Sequence, residues 1–245
     1  MTNQPSRGAR PSAVPRHDAL VILQARMGSS RLPGKVLAPL GHRSVLAQCV
    51  ERLRAAQVGE VVVATTTRPE DEAIVAEAGA IGVEVMRGPV DDVLGRFVAA
   101  AAGWTGAYVV RATADNPFVD IDGAARLLRL LDAGADYAVE EGLPVGAAVE
   151  AMRTEVLREA GASATTPYDR EHVTPFIRQS ADRFDVRSVP APFDLRRPAL
   201  RVTVDTREDL QFVRSLVHQA GDAPLIPLGA IIALADHYAG WAGVA

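Results

Sequence analysis

The chain is short of several things, and each shortage removes a class of protein. Cys49 is the only cysteine among 245 residues, which excludes an intrachain disulfide and a cysteine metal cluster. It falls in an Ala/Leu/Val-rich helical pattern, so it reads as a buried, inert thiol rather than a nucleophile. Aromatics make up 5% of the chain, leaving Val, Leu, Ile and Ala to build the core. No apolar run approaches the roughly 20 residues of a membrane-spanning helix. Charges are mixed, with no block of like sign and a net of -4. Nucleic-acid binding through bulk electrostatics is therefore not expected. The first 17 residues, MTNQPSRGARPSAVPRH, hold three prolines and three arginines but no apolar centre of a secretory signal. A disordered tail over 1–18 and a cytoplasmic protein are expected. The remainder, 19–245, is long enough for one domain with a substantial core.

What is present is a repeated alternation of apolar strands and amphipathic helices. Residues 20–23, 60–64, 83–86, 107–112 and 136–139 read as short strands, and the unbroken β-branched run of 60–64 suits a parallel sheet covered on both faces. Helices are predicted from Ser44 as a cap, then over 69–80, 91–102 and 122–133. The second half is less regular. Strands are expected over 147–152, 184–189 and 200–204, and helices over 154–160, 169–179 (irregular at Pro175), 208–218 and 228–237. The pattern gives an α/β fold, Rossmann-like: a mainly parallel, mixed sheet with helices on both faces. A lobe over about 140–195, folded back over the sheet, would suit a substrate-covering role.

The chemistry gathers at the stretch VILQARMGSSRLPGK, residues 21–35. A buried strand delivers a rigid loop carrying Arg26, Arg31 and Lys35 as cations, with Gly28, Ser29 and Ser30 as close-approaching amides and hydroxyls. Such a loop is suited to a polyphosphate. It is not a Walker A motif, because five residues separate Gly28 from Gly34 and Val36 replaces the hydroxyl residue. Nor is there a GxGxxG fingerprint. Asp115 and Asp205 each stand just past a strand. Taken singly, each could make a turn or cap a helix. Together beside a cationic loop, they favour an oxygen-ligand site for magnesium. Asp120-Ile121-Asp122 nominally matches a D-x-D pair but lies at a helix start, where capping is the better explanation. His172 could act in acid–base chemistry, although a structural network with its charged neighbours is at least as good a reading.

Five segments in order then carry a resemblance: QARMGSSRLPGK, VVVATTT, Arg111-x-Thr113-x-Asp115-x-Pro117, YDREHVTP and VTVDTREDL. Together they resemble the cytidylyltransferase family. Within it they are similar to the spore-coat polysaccharide biosynthesis branch, and to the cytidylyltransferases of 3-deoxy-manno-octulosonate and acylneuraminate. The resemblance implies a nucleotide-diphospho-sugar-transferase-like fold, CTP as donor, Mg2+, pyrophosphate release and a homodimer reached through the lobe at about 140–195. By position it implies triphosphate binding by Arg26, Arg31 and Lys35, and places Ala25 and Thr65, Thr66 and Thr67 toward the nucleoside. Arg111 and Asp115 are placed by the phosphates, with Asp115 and Asp205 on the metal. Gly146, Glu150, Tyr168, Arg170 and His172 fall on the acceptor side. Two places depart from the family pattern: Ala114 stands where relatives often have Gly, and Ala147-Ala148 stands where relatives often have Leu-Asp, so an acidic side chain is missing while Gly146 and Glu150 remain. A nucleotide-sugar-dependent glycosyltransferase of the same broad fold, or a non-catalytic nucleotide-binding protein, are the competing expectations.

Overall fold

In the computed structural model the described residues are 18–242, so the expected tail lies outside them apart from Asp18. The chain runs β1 (Ala19–Gln24), a small hairpin of β2 (Pro39–Leu40) and β3 (Arg43–Ser44), and then α1 (Val45–Ala55). It continues through β4 (Gly59–Thr66), α2 (Glu72–Ala80), β5 (Glu84–Gly88), α3 (Val93–Ala100), β6 (Tyr108–Thr113) and α4 (Gly123–Asp132). The second half holds β7 (Tyr137–Glu141), β8 (Glu150–Arg153), α5 (Thr154–Ser163), α6 (Pro167–His172), α7 (Pro175–Gln179), β9 (Val186–Pro190), α8 (Arg207–Gln219) and α9 (Leu228–Ala242).

The main sheet has the order β5-β4-β1-β6-β8-β7-β9. All neighbours are parallel except β8, which runs antiparallel to both β6 and β7. Strand β1 is interior to the sheet and apolar from Ala19 to Leu23, so its two faces must both be covered. Ala19, Val21 and Leu23 point into a core with Leu46, Leu127 and Leu216 from α1, α4 and α8. Leu20 and Ile22 point the other way, into a second core with Phe97 and Leu157 from α3 and α5. This is the period-2 alternation of a strand buried on both sides.

Several sequence expectations need correction. The strand expected over 200–204 is a single parallel bridge, Val145 to Arg201. Val202 N–H donates to Val145 at 2.9 Å, but Val204 N–H donates to Asp115 at 2.8 Å. The intervening turn at Gly146, with φ +97, takes the partner chain away, so no ladder can extend. The helix expected over 169–179 is two short helices, α6 and α7, separated at Val173 with φ +72. Pro175 starts α7 at its first turn, where its missing N–H is harmless. The β2–β3 hairpin was below the length at which a pattern shows. Asp120 is no cap: it is buried and ion-paired with Arg126, which also holds Glu140.

Candidate active site

The loop after β1 is shaped by its own backbone. The Met27 carbonyl accepts from Ser29 N–H at 2.9 Å and Gly34 N–H at 3.0 Å, closing a tight turn. Gly34 sits at φ +74, a conformation that an L side chain resists. From beneath, buried Asp71 accepts the Met27 N–H at 2.7 Å and the Thr66 hydroxyl. The loop then enters a 3-10 turn, Lys35–Leu37, which points the Lys35 side chain back under the loop.

Lys35 is the centre of the geometry. It is 8% exposed, and its Nζ donates to Asp115 Oδ2 at 2.7 Å and to Asp205 Oδ1 at 2.9 Å. Arg31 reaches the same Asp205 Oδ1 at 3.0 Å, and Arg201 reaches Asp205 Oδ2 at 3.1 Å. Burial alone would raise the Asp205 carboxyl, but the Lys35 hydrogen bond and charge, with Arg31 and Arg201, hold it below its ordinary value. Asp205 does not cap the following helix. That role belongs to Thr206, in a capping box with Asp209. Asp115 lies beyond β6, its backbone carbonyl accepting from Val204 N–H and, at 3.2 Å, from the Thr203 hydroxyl. These bonds lock the two aspartate-bearing segments together.

A cavity of about 280 Å³ opens here, over the carboxyl ends of β1 and β6. Ligands in open α/β sheets bind at this edge. Ala25, Arg26, Ser29, Ser30, Arg31, Lys35, Asp115 and Asp205 line it, as does His172 from α6. Gly28 is not in the wall, and a Cβ there would meet nothing.

Other expected residues lie elsewhere. Thr65 and Thr66 are buried behind the loop, where Thr66 serves Asp71; neither they nor Thr67 line the cavity. Arg111 is turned toward Glu150, at 2.7 Å, and toward Gln24, at 3.2 Å. Glu150 also accepts from the Tyr137 hydroxyl at 2.8 Å and the Thr174 hydroxyl at 3.2 Å. Burial, then the Glu150 charge, drive the Tyr137 hydroxyl well above its usual range. Thus the residues expected on the phosphates (Arg111) and on the acceptor (Glu150) form one polar network beside the cavity. Gly146 packs its backbone on Thr203. Arg170 is bound to Asp92 and to the Gly161 carbonyl, holding α6 against α3 and α5, and the Tyr168 ring meets that of His172 at a 58° tilt, with centroids 4.6 Å apart. None of Gly146, Tyr168 and Arg170 lines the cavity.

Sequence reasoning missed Asp71, Arg96, Gln24 and Glu171. Arg96 is buried in the cavity wall, donating to the Pro89 and Val90 carbonyls. Burial and the nearby Arg26 charge lower its pKa. Its place in an amphipathic helix gave no sign of a wall residue. Glu171 faces Arg26 across the cavity at 3.8 Å. Cys49, by contrast, is buried as expected, and burial with the Asp115 charge raises its thiol far above the reactive range.

The donor set can be tested against a metal. Asp115 and Asp205 are hard oxygen donors converging on one point, and among the described residues no cluster of three His, Cys, Asp or Glu is formed. Two carboxylates suit magnesium, which completes its shell with phosphate oxygens and water. The residues fit that ion.

This fold, with cations and paired carboxylates gathered at the carboxyl edge of a mainly parallel sheet, is that of a nucleotidyltransferase of the nucleotide-sugar transferase fold. The sequence profile of the family described as "Cytidylyltransferase" matches residues 20–233, and the chain belongs to that family. It is 34% identical over 225 residues to the spore coat polysaccharide biosynthesis protein SpsF of Bacillus subtilis (strain 168), covering 89% of this chain and 94% of that protein. A cytidylyltransferase structure from Leptospira borgpetersenii serovar Hardjo-bovis superposes with a TM-score of 0.85 at 26% identity, covering 91% of this chain and 96% of the other. A CMP:2-keto-3-deoxy-manno-octonic acid synthetase complexed with CTP superposes at 0.62 with 20% identity, covering 83% and 99%, a likeness of fold alone. Among the described residues, no helix is long and apolar enough to cross a membrane.

Proposed function

We propose that the chain is a magnesium-dependent cytidylyltransferase. It transfers CMP from CTP to a sugar acid, or to a related phosphate or phosphonate acceptor, and releases pyrophosphate. The observation that supports this reading is the convergence of Arg26, Arg31, Lys35, Asp115 and Asp205 on one cavity at the carboxyl edge of the sheet. An acceptor oxygen attacks the α-phosphorus in line; the new P–O bond forms as the bond to the pyrophosphate oxygen breaks. Arg26 and Arg31 hold only half-exposed ion pairs, with Glu171 and Asp205, which a polyanion can displace. They and Lys35 are suited to the β- and γ-phosphates and to the charge that builds on the departing pyrophosphate. Asp115 and Asp205 would hold magnesium, which when bound neutralises triphosphate charge and polarises the α-phosphoryl group. The remaining task is positioning, for which Asp71 pins the loop backbone at Met27.

A glycosyltransferase reading would need Asp120 and Asp122 at the sugar nucleotide. Asp120 is instead buried against Arg126, which weighs against it. We further propose a homodimer formed through the lobe at about 140–195, where Phe193 is 85% exposed. Light scattering at micromolar concentration tests this, with twice the 26.0 kDa chain mass expected. The activity is tested by pyrophosphate release from each nucleoside triphosphate against a panel of sugar acids, sugar phosphates and phosphonates. Release that requires both CTP and one acceptor is expected; release only with UTP or GTP would overturn the cytidine assignment.

A further inference from the structure

We propose that Lys35 holds the metal's place in the nucleotide-free protein, so that metal enters between Asp115 and Asp205 only when a triphosphate draws this lysine away. The proposal rests on the reading of those carboxylates as the metal ligands. Its ground is a conflict in the geometry. Lys35 is expected on the phosphates and the two aspartates on the metal, yet Lys35 Nζ donates to both aspartates, at 2.7 and 2.9 Å. A divalent cation and this ammonium compete for the same oxygens. Asp205 is the more thoroughly occupied, because Arg31 shares Oδ1 and Arg201 takes Oδ2.

The lysine cannot easily leave for water. Its side chain is 10% exposed, and its backbone is fixed by the 3-10 turn after Gly34. Two carboxylates left side by side without a cation would repel. Lys35 therefore has to exchange one set of anionic oxygens for another, and a triphosphate supplies that set. Arg31, 62% exposed at its side chain, can follow at little cost. The exchange couples the two ligands through a single side chain: nucleotide makes the carboxylates available, and metal at the carboxylates favours Lys35 on the phosphates. Such coupling is reciprocal. It would keep the carboxylate pair from collecting divalent ions when no donor nucleotide is bound.

The experiment is Mn2+ titration of the full chain, read by the electron paramagnetic resonance signal of unbound Mn2+. It uses wild type, Lys35→Met, Lys35→Gln, Lys35→Arg and the double variant Lys35→Met/Asp115→Asn without nucleotide, and wild type and Asp115→Asn with CTP, the latter two read against CTP and Mn2+ without protein. The expected result is at least tenfold tighter Mn2+ binding in Lys35→Met and Lys35→Gln than in wild type without nucleotide. Lys35→Arg, which keeps the internal cation, should stay weak, and adding Asp115→Asn to Lys35→Met should abolish the gain. Two neutral variants guard against one that does not fold, and circular dichroism identifies it. If wild type without nucleotide binds Mn2+ as tightly as the neutral variants, the proposal is overturned. If, at the same time, binding with CTP depends on Asp115, the metal reading survives. If Asp115→Asn leaves binding with CTP unchanged, the metal reading falls and the proposal with it.

Discussion

At Lys35 and Asp71 two buried charged side chains divide the work of one loop. Lys35 faces the cavity and meets Asp115 and Asp205. Asp71 faces away and meets Met27 N–H and the Thr66 hydroxyl. Their substitutions should separate. Lys35→Ala removes a cation aimed at developing charge, and kcat/KM for the nucleotide should fall by about 100-fold or more. Full activity in that variant would contradict its role. Asp71→Ala strands two buried donors and should cost about 1–3 kcal/mol of stability. Urea unfolding would show it as a lower midpoint at unchanged slope. Lys35 was legible because it closes the cationic, glycine-containing loop after β1, and Asp115 and Asp205 because each follows a short apolar run. Asp71 was not, because an acidic residue in the first turn after Pro69 reads equally well as a dipole partner. Arg111 and Glu150 were each picked out, but not as partners: they lie 39 residues apart.

At the scale of elements, β8 explains that last failure. It is the reversed strand inserted between β6 and β7, and it puts Glu150 opposite Arg111 in register. An alternation of strands and helices does not reveal such an insertion. The turn that admits it is Gly146, where a Cβ would lie 2.7 Å from the Thr203 nitrogen, with φ at +97. Gly146→Ala should therefore destabilise the chain by about 1–3 kcal/mol, seen as a lower Tm, while Gly28→Ala, with open space around it, should not. The short helix α6 is tied down by Arg170 on Asp92. Burial raises the Asp92 carboxyl, but the Arg170 hydrogen bond, the Gly95 N–H and the nearby guanidinium charges outweigh it and hold the group below its ordinary value. A carboxyl depressed in this way stabilises the fold fully above its unfolded pKa and stops doing so as the pH falls through its folded value. Asp92→Asn keeps the cap of α3 and removes the charge. It should lower stability by up to about 1 kcal/mol at pH 7. The gap to wild type should close as the pH falls through the depressed folded value, below the ordinary aspartate range. A gap that persists in acid would assign the loss to packing instead.

At the scale of the whole molecule, the fold was legible because its first half obeys one rule throughout: a buried strand, a turn at its carboxyl end, and a helix back across the sheet. That rule places the loop at 25–35, Asp115 and the edge of β4 on one side before any coordinate is seen. The second half obeys no such rule. The residues expected on the acceptor side, Gly146, Glu150, Tyr168 and Arg170, serve backbone packing, the Arg111 network and the seating of α6, whereas His172 lines the cavity. The cationic loop and its aspartates are thus written in local sequence, and the residues of the second half in tertiary contacts. The 31P spectrum of a reaction containing CTP, magnesium and one candidate acceptor tests the account most directly. Each CTP consumed should yield one pyrophosphate and one CMP ester of the acceptor, and Asp115→Asn should abolish both signals together. Products other than that pair, or the same pair at full rate from Asp115→Asn, would contradict it.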